Sequence, residues 1–175
     1  RRSVMKRVLA GLTTLSLLAF ASAAVSTASA QGIRPGIAAT ALFSLESGGG
    51  ESYGGMALLG IGGRIDQPLG FRVDGSFVHG GGVWSELVTG DIIYTFHTPR
   101  RVLHPYLLGG AGFQHAPGFT KPMAKAGAGF DYHLFHRNRG TVLFGETTFN
   151  LLFRGSGAGT RKALQVNLGL KFFEG

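Results

Sequence analysis

Six histidines, His79, His97, His104, His115, His133 and His136, are the side chains best able to bind a metal or move a proton near neutral pH. A metal centre needs several nitrogen, sulfur or carboxylate donors converging, usually with two of them at short spacing. Only His133 and His136 stand close, and they fall across what reads as a strand end. Cysteine is absent, which removes thiolate ligands, thiol nucleophiles and disulfides. Hydrolysis at a membrane edge would need a hydroxyl, an imidazole and a carboxylate in hydrogen-bonded series. Ser76, Ser85, His133, Asp131 and Glu146 are of the right types, but no motif joins them. The "GGAG" and "AGAG" runs have no strand-to-helix context and no following Lys-Ser or Lys-Thr, so they do not read as phosphate loops. The sequence points to no catalytic, metal or cofactor site.

The remaining polar residues show a different order. Arg72 and Asp74, Lys125 and Asp131, Glu146 and Asn150, and Gln165, Asn167 and Lys171 sit at even spacings, each set opposite an apolar set of the other parity. Asp91 lies on the polar side of its own segment, opposite Val88, Ile92 and Tyr94. A period of two is the signature of strands with chemically different faces. In "KALQVNLGLKFFEG", for example, Leu164, Val166, Leu168, Leu170 and Phe172 oppose Gln165, Asn167, Gly169 and Lys171.

Eight such segments are expected, near residues 35–45, 53–65, 71–79, 83–97, 102–113, 123–135, 140–153 and 162–173. In the fourth, Glu86 falls on the apolar side, and Leu87 and Ile93 on the polar side. Glycine makes up 29 residues after position 30 and no sustained helical period appears, so the mature chain reads as all-β. "DQPL", "TPRR" and "HRNR" predict tight connectors after the second, fourth and sixth strands. "ESGGGES", "GGG", "QHAPGFTK" and "RGSGAGT" predict mostly longer, flexible ones after the others, only the Gly80–Gly82 connector being short for its class. That alternation is expected of an up-and-down meander with its two kinds of connector at opposite rims.

Residues 1–30 differ from the rest. "RRSVMKR" is basic, the following run is apolar, and "ASA" at 28–30 carries small residues where a signal peptidase reads. This predicts a secretory signal peptide at 1–30, cut before Gln31, with a second small-residue site at 21–23 and Met5 a candidate start. A single domain is expected over 31–175. Without the leader's four basic residues, thirteen Lys and Arg face nine Asp and Glu, a net +4. Those cations are scattered and lack aromatic interleaving, so nucleic acid is not an expected partner.

The decisive expectation concerns which face is inside. The polar parity mixes both signs with Gly and Thr and is too sparse in charge for a soluble strand face. The apolar parity is long, and Tyr53, Trp84, Tyr94, Phe96, Tyr106, Phe130, Tyr132, Phe153, Phe172 and Phe173 lie near strand ends, as interfacial girdles do. Strands that cross lipid must close on themselves, because every backbone N–H and C=O has to be paired within the protein. The expected architecture is therefore an eight-stranded antiparallel up-and-down transmembrane β-barrel with the apolar parity outside. A secreted lipocalin-like barrel, with that parity inside, is the alternative.

"HPYLLGGAGF", "KAGAGFDY" and "LGLKFFEG" resemble the small outer-membrane β-barrel proteins of the OmpA and OmpX type. The resemblance implies a barrel in the outer membrane of a Gram-negative envelope, with lipid around it, and the even strand count with alternating connectors predicts a monomer with both termini in the periplasm. It also implies that the barrel assembly machinery reads the terminal-strand aromatics, here Phe172 and Phe173, although Glu174 and Gly175 follow them. The expected polar interior comprises Arg72, Asp74, Asp91, Lys125, Asp131, Glu146, Asn150, Gln165, Asn167 and Lys171. A structural or surface-interaction barrel plugged by these residues is the leading reading. A small channel or transport accessory, and an outer-membrane lipid-modifying enzyme, are the alternatives.

Overall fold

The alternation of side chains produces eight strands: β1 (Ile33–Ser44), β2 (Glu51–Gly62), β3 (Leu69–Gly80), β4 (Val83–Thr95), β5 (Leu103–Ala116), β6 (Phe119–His133), β7 (Thr141–Phe153) and β8 (Thr160–Phe172). The structure is a computed structural model that describes residues 32–63, 67–96, 98, 102–134, 140–153 and 159–172. The signal-peptide segment 1–30 and Phe173 lie outside the described residues, as do His97 and His136. Each strand pairs antiparallel with the next, and β1 pairs with β8 from Gly36↔Lys171 to Ser44↔Ala163, closing the barrel. Closure removes both sheet edges, so no ladder of unpaired backbone groups is left exposed.

Strands of 12 to 15 residues, rising about 3.3 Å per residue and tilted near 45°, are long enough to cross a hydrocarbon layer. Their outward parity is apolar: Phe71, Val73, Val88, Ile92, Leu107 and Leu168 are each at least half exposed. Aromatic pairs bracket this belt. Phe77 stacks on Trp84 at 4.7 Å and Phe43 meets Tyr53 edge-on at 6.3 Å toward one rim, while Tyr94 meets Phe96 at 5.3 Å toward the other. Within β4, Glu86 points outward and Leu87 and Ile93 inward, which matches their parity in the sequence.

Two expectations are corrected. Connector length does not alternate between rims: β3 joins β4, and β5 joins β6, through two residues each, whereas β2–β3 and β4–β5 take six and seven. The physical reason lies in the turns. Gly81 and Gly82 both adopt positive φ (57° and 77°), the requirement of a tight type I′ hairpin, and Gly118 after Pro117 adopts φ 90°, as a type II turn requires. "QHAPGFTK" is therefore strand and hairpin, with pairing continued up to Ala116↔Phe119. Tyr106, expected in a girdle, is instead turned inward and only 2% exposed. It pairs directly with Gly129 on β6, where the missing side chain leaves room for its ring.

Candidate functional site

Inward-facing side chains fill the barrel in distinct levels. The central level is built around Arg72, which β3 presents inward between Gly70 and Asp74. Its guanidinium donates to Asp91 Oδ2 from Nε (3.1 Å) and Nη2 (2.8 Å), and to Glu146 from Nη1 (Oε2, 2.6 Å) and Nη2 (Oε1, 3.1 Å). Asp74 Oδ2 lies 3.2 Å from Nη2. Lys125 Nζ, from β6, sits 2.7 Å from Asp74 Oδ2 and 2.9 Å from Asp91 Oδ2. All five groups are at most 5% exposed, and burial of charge is tolerated only with this kind of pairing. Two cations thus face three carboxylates in one cluster.

Neutral groups complete it. Tyr106 Oη donates to Glu146 Oε2 (3.0 Å) and Asn167 Nδ2 to Glu146 Oε1 (3.1 Å), while Thr89 Oγ1 donates to Asp74 Oδ1 (3.0 Å). Across the closing seam, Gln165 Nε2 reaches Thr40 Oγ1 (3.1 Å), Ser76 Oγ (3.2 Å) and Asn167 Oδ1 (3.1 Å), and Gln165 Oε1 accepts from Asn150 Nδ2 (3.0 Å). Thr40 Oγ1 also bonds Asn167 Oδ1. Toward the rim of the termini, Lys171 Nζ pairs with Asp131 Oδ1 at 2.6 Å and lies over the rings of Tyr106 (4.6 Å) and Phe144 (4.8 Å). His104 and His133 meet ring to ring at 5.2 Å on the same side.

Ten residues of polar parity in the sequence, Arg72, Asp74, Asp91, Lys125, Asp131, Glu146, Asn150, Gln165, Asn167 and Lys171, are placed inside the barrel and buried. Eight of them join the central network, and Asp131 with Lys171 forms a separate pair. Phe172 ends β8 on the outward parity. Sequence reasoning missed Thr40, Ser76, Thr89, Thr148 and Tyr106 as network members; for Ser76, Thr89 and Thr148 the polar parity of their strands was the available signal. It also missed an apolar level above the network, formed by Val78, Leu87, Met123 and Leu152 with Leu42 packed against them.

The hydroxyl, imidazole and carboxylate candidates do not converge. Ser76 bonds Gln165, Asp131 bonds Lys171, Glu146 bonds Arg72, and His133 faces His104. On the outer face, Glu86, His115 and Thr120 form one row across β4, β5 and β6, with His115 Nδ1 2.7 Å from Thr120 Oγ1. The neighbouring backbone N–H groups are committed to strand pairing, so the row has no preformed donors for a developing oxyanion. Among the described residues no group of three His, Asp or Glu side chains is placed to hold a metal.

An apolar belt outside, aromatic rows at both ends and an ion-paired interior define a membrane-spanning β-barrel. The solved structures it is similar to have the same fold. Neisserial surface protein A (NspA) superposes with a TM-score of 0.67 at 17% identity, over 81% of this chain and 96% of that one. The N-terminal β-barrel domain of Pseudomonas aeruginosa OprF superposes with a TM-score of 0.54 at 21% identity, over 81% and 97%. No protein-family model matches the chain, and no curated protein matches it in sequence.

Proposed function

We propose that this protein is an integral outer-membrane barrel with a structural or surface-interaction role and an interior closed by its own side chains. The observation that carries the reading is the inversion of faces: Leu168 is 56% exposed while its neighbour Asn167 is 1% exposed, and the same contrast recurs around the wall. An outward apolar surface of this extent is stable only in lipid. Outer-membrane lipid is therefore its constant partner, the barrel assembly machinery its partner during biogenesis, and the turns and loops its means of contact with anything else.

Closure of the interior favours this role over a channel. Eight strands leave a lumen that side chains can fill. Here the ion-paired level is covered by the apolar level of Val78, Leu87, Met123 and Leu152, so a permeating ion would have to shed water against hydrocarbon. The test is to fractionate cells, measure heat-dependent gel mobility, and refold the purified chain with and without detergent or vesicles. Recovery in the outer-membrane fraction and folding only with lipid or detergent is the expected result. A stable, monodisperse barrel in plain buffer would overturn it.

A further inference from the structure

Above the apolar level the barrel opens into a cup of about 270 Å³, bordered by Gly50 and Glu51 on one side and by Gly81, Ala116 and Phe119 on the other. Its base includes Leu42 and Leu152, which belong to the apolar level beneath. Ser44, Ser52 and Ser85 contribute hydroxyls, and Gln114, only 9% exposed, contributes an amide. Two charged residues line it. Glu51 has the outward parity of β2 and faces Tyr53. Arg161 has the inward parity of β8, is half-buried, and makes no hydrogen bond or ion pair with any described residue.

Three other inward cations are matched to carboxylates, Arg72 to three, Lys125 to two and Lys171 to one, and Arg34 donates to the Gly63 carbonyl. Arg161, by contrast, is a half-buried guanidinium with no carboxylate partner among the described residues, set over an apolar floor. We propose that the cup is a binding site for a small amphipathic carboxylate, with the carboxylate on Arg161 and the apolar end toward Leu42 and Leu152. A guanidinium fits a carboxylate with two parallel hydrogen bonds, and Gln114 and the serine hydroxyls can satisfy its remaining lone pairs. One cation matches a single negative charge better than the double charge of a phosphate. The floor supplies burial for a short hydrocarbon portion, and barrel mouths are a common location for such sites.

The experiment uses isotopically labelled protein folded in lipid nanodiscs, titrated with hexanoate, N-acetylleucine, hexylamine and inorganic phosphate while backbone amide shifts are recorded. Saturable shifts at Leu42, Gln114 and Ala163 are expected with the two carboxylates and not with hexylamine, with phosphate much weaker. Tighter binding of N-acetylleucine than of hexanoate would assign the carboxylate to a peptide C-terminus; the reverse would assign it to a free acid. Arg161→Gln should weaken carboxylate binding at least tenfold, and Arg161→Lys should weaken it less. Heat-dependent gel mobility verifies that each variant is folded. Absence of saturable shifts at those amides, equal binding of hexanoate and hexylamine, or unchanged affinity in both Arg161 variants would overturn the proposal.

Discussion

Tyr106 and Gly129 stand directly opposite each other on β5 and β6, and the Tyr106 ring occupies the space a side chain at 129 would need. A Cβ at Gly129 would fall 2.5 Å from the ring, whose hydroxyl is held 3.0 Å from Glu146. Gly129→Ala should therefore displace the ring and cost roughly 1 to 3 kcal/mol, the usual range for overpacking a filled interior. Tyr106→Phe should cost less, about 1 kcal/mol, because Arg72 and Asn167 still satisfy Glu146. Urea unfolding in vesicles checks both. The two changes together should cost less than their sum, since they disturb one contact.

Removing one member of the ionic cluster should cost more than removing a surface charge. Arg72→Ala leaves Asp74, Asp91 and Glu146 around Lys125 alone, and loss of one partner from a buried pair costs about 3 to 5 kcal/mol. Glu146→Ala should also loosen the fold, through Arg72, Tyr106 and Asn167 at once. Unfolding midpoints in vesicles indistinguishable from the unmodified protein would show that the network does not stabilise the barrel.

In planar bilayers the unmodified protein should give little or no steady conductance, because an apolar level and an ion-paired level lie in series across the lumen. Large, stable single-channel steps would contradict the closed interior.

Depth should govern the penalty for charge on the outer face. Leu168, paired with Ala39 near the middle of the wall, should tolerate Lys poorly, at a cost of about 2 to 4 kcal/mol, whereas Leu103→Lys at the rim should cost about 1 kcal/mol or less. Gln165→Lys is not a neutral control for the opposite face, because it would forfeit four hydrogen bonds. Equal losses at positions 168 and 103 would argue against lipid contact.

The absence of cysteine makes single-cysteine labelling clean. If both termini face the periplasm, Ser47→Cys in the β1–β2 connector should react with a membrane-impermeant maleimide on intact cells. Gln67→Cys, in the β2–β3 connector at the other rim, should react only after the cells are opened. The opposite pattern would invert the orientation.

The strand count and the facing of β3, β4, β6, β7 and β8 were legible because those segments alternate clearly. Arg72 beside Val73, or Asn167 beside Leu168, declares its side of the wall. In β5, "LLGGAG" is apolar on both parities, so the inward turn of Tyr106 could not be read. Val78, Met123 and Leu152 look like lipid-facing residues by type, although they share the inward parity of Arg72, Lys125 and Asn150. Nor does any local pattern reveal which carboxylates meet Arg72, because that depends on how eight strands stagger as they close. Connector lengths were misread because glycine with positive φ shortens a hairpin more than its flexibility suggests.

The hydrogen bond between Thr40 and Asn167 joins residues 127 positions apart, and the Arg72–Glu146 pair spans 74. The first cannot form before the first and last strands meet, and the second needs β3 and β7 brought together across the lumen. The ionic core is thus completed late: Arg72 meets Asp91 within the β3–β4 hairpin, but its contacts across the lumen wait until the barrel curls shut. Such contacts leave the rate of folding nearly untouched and act on the rate of unfolding. The interior charges therefore govern how long the finished barrel lasts, while its hairpins govern how fast it is made.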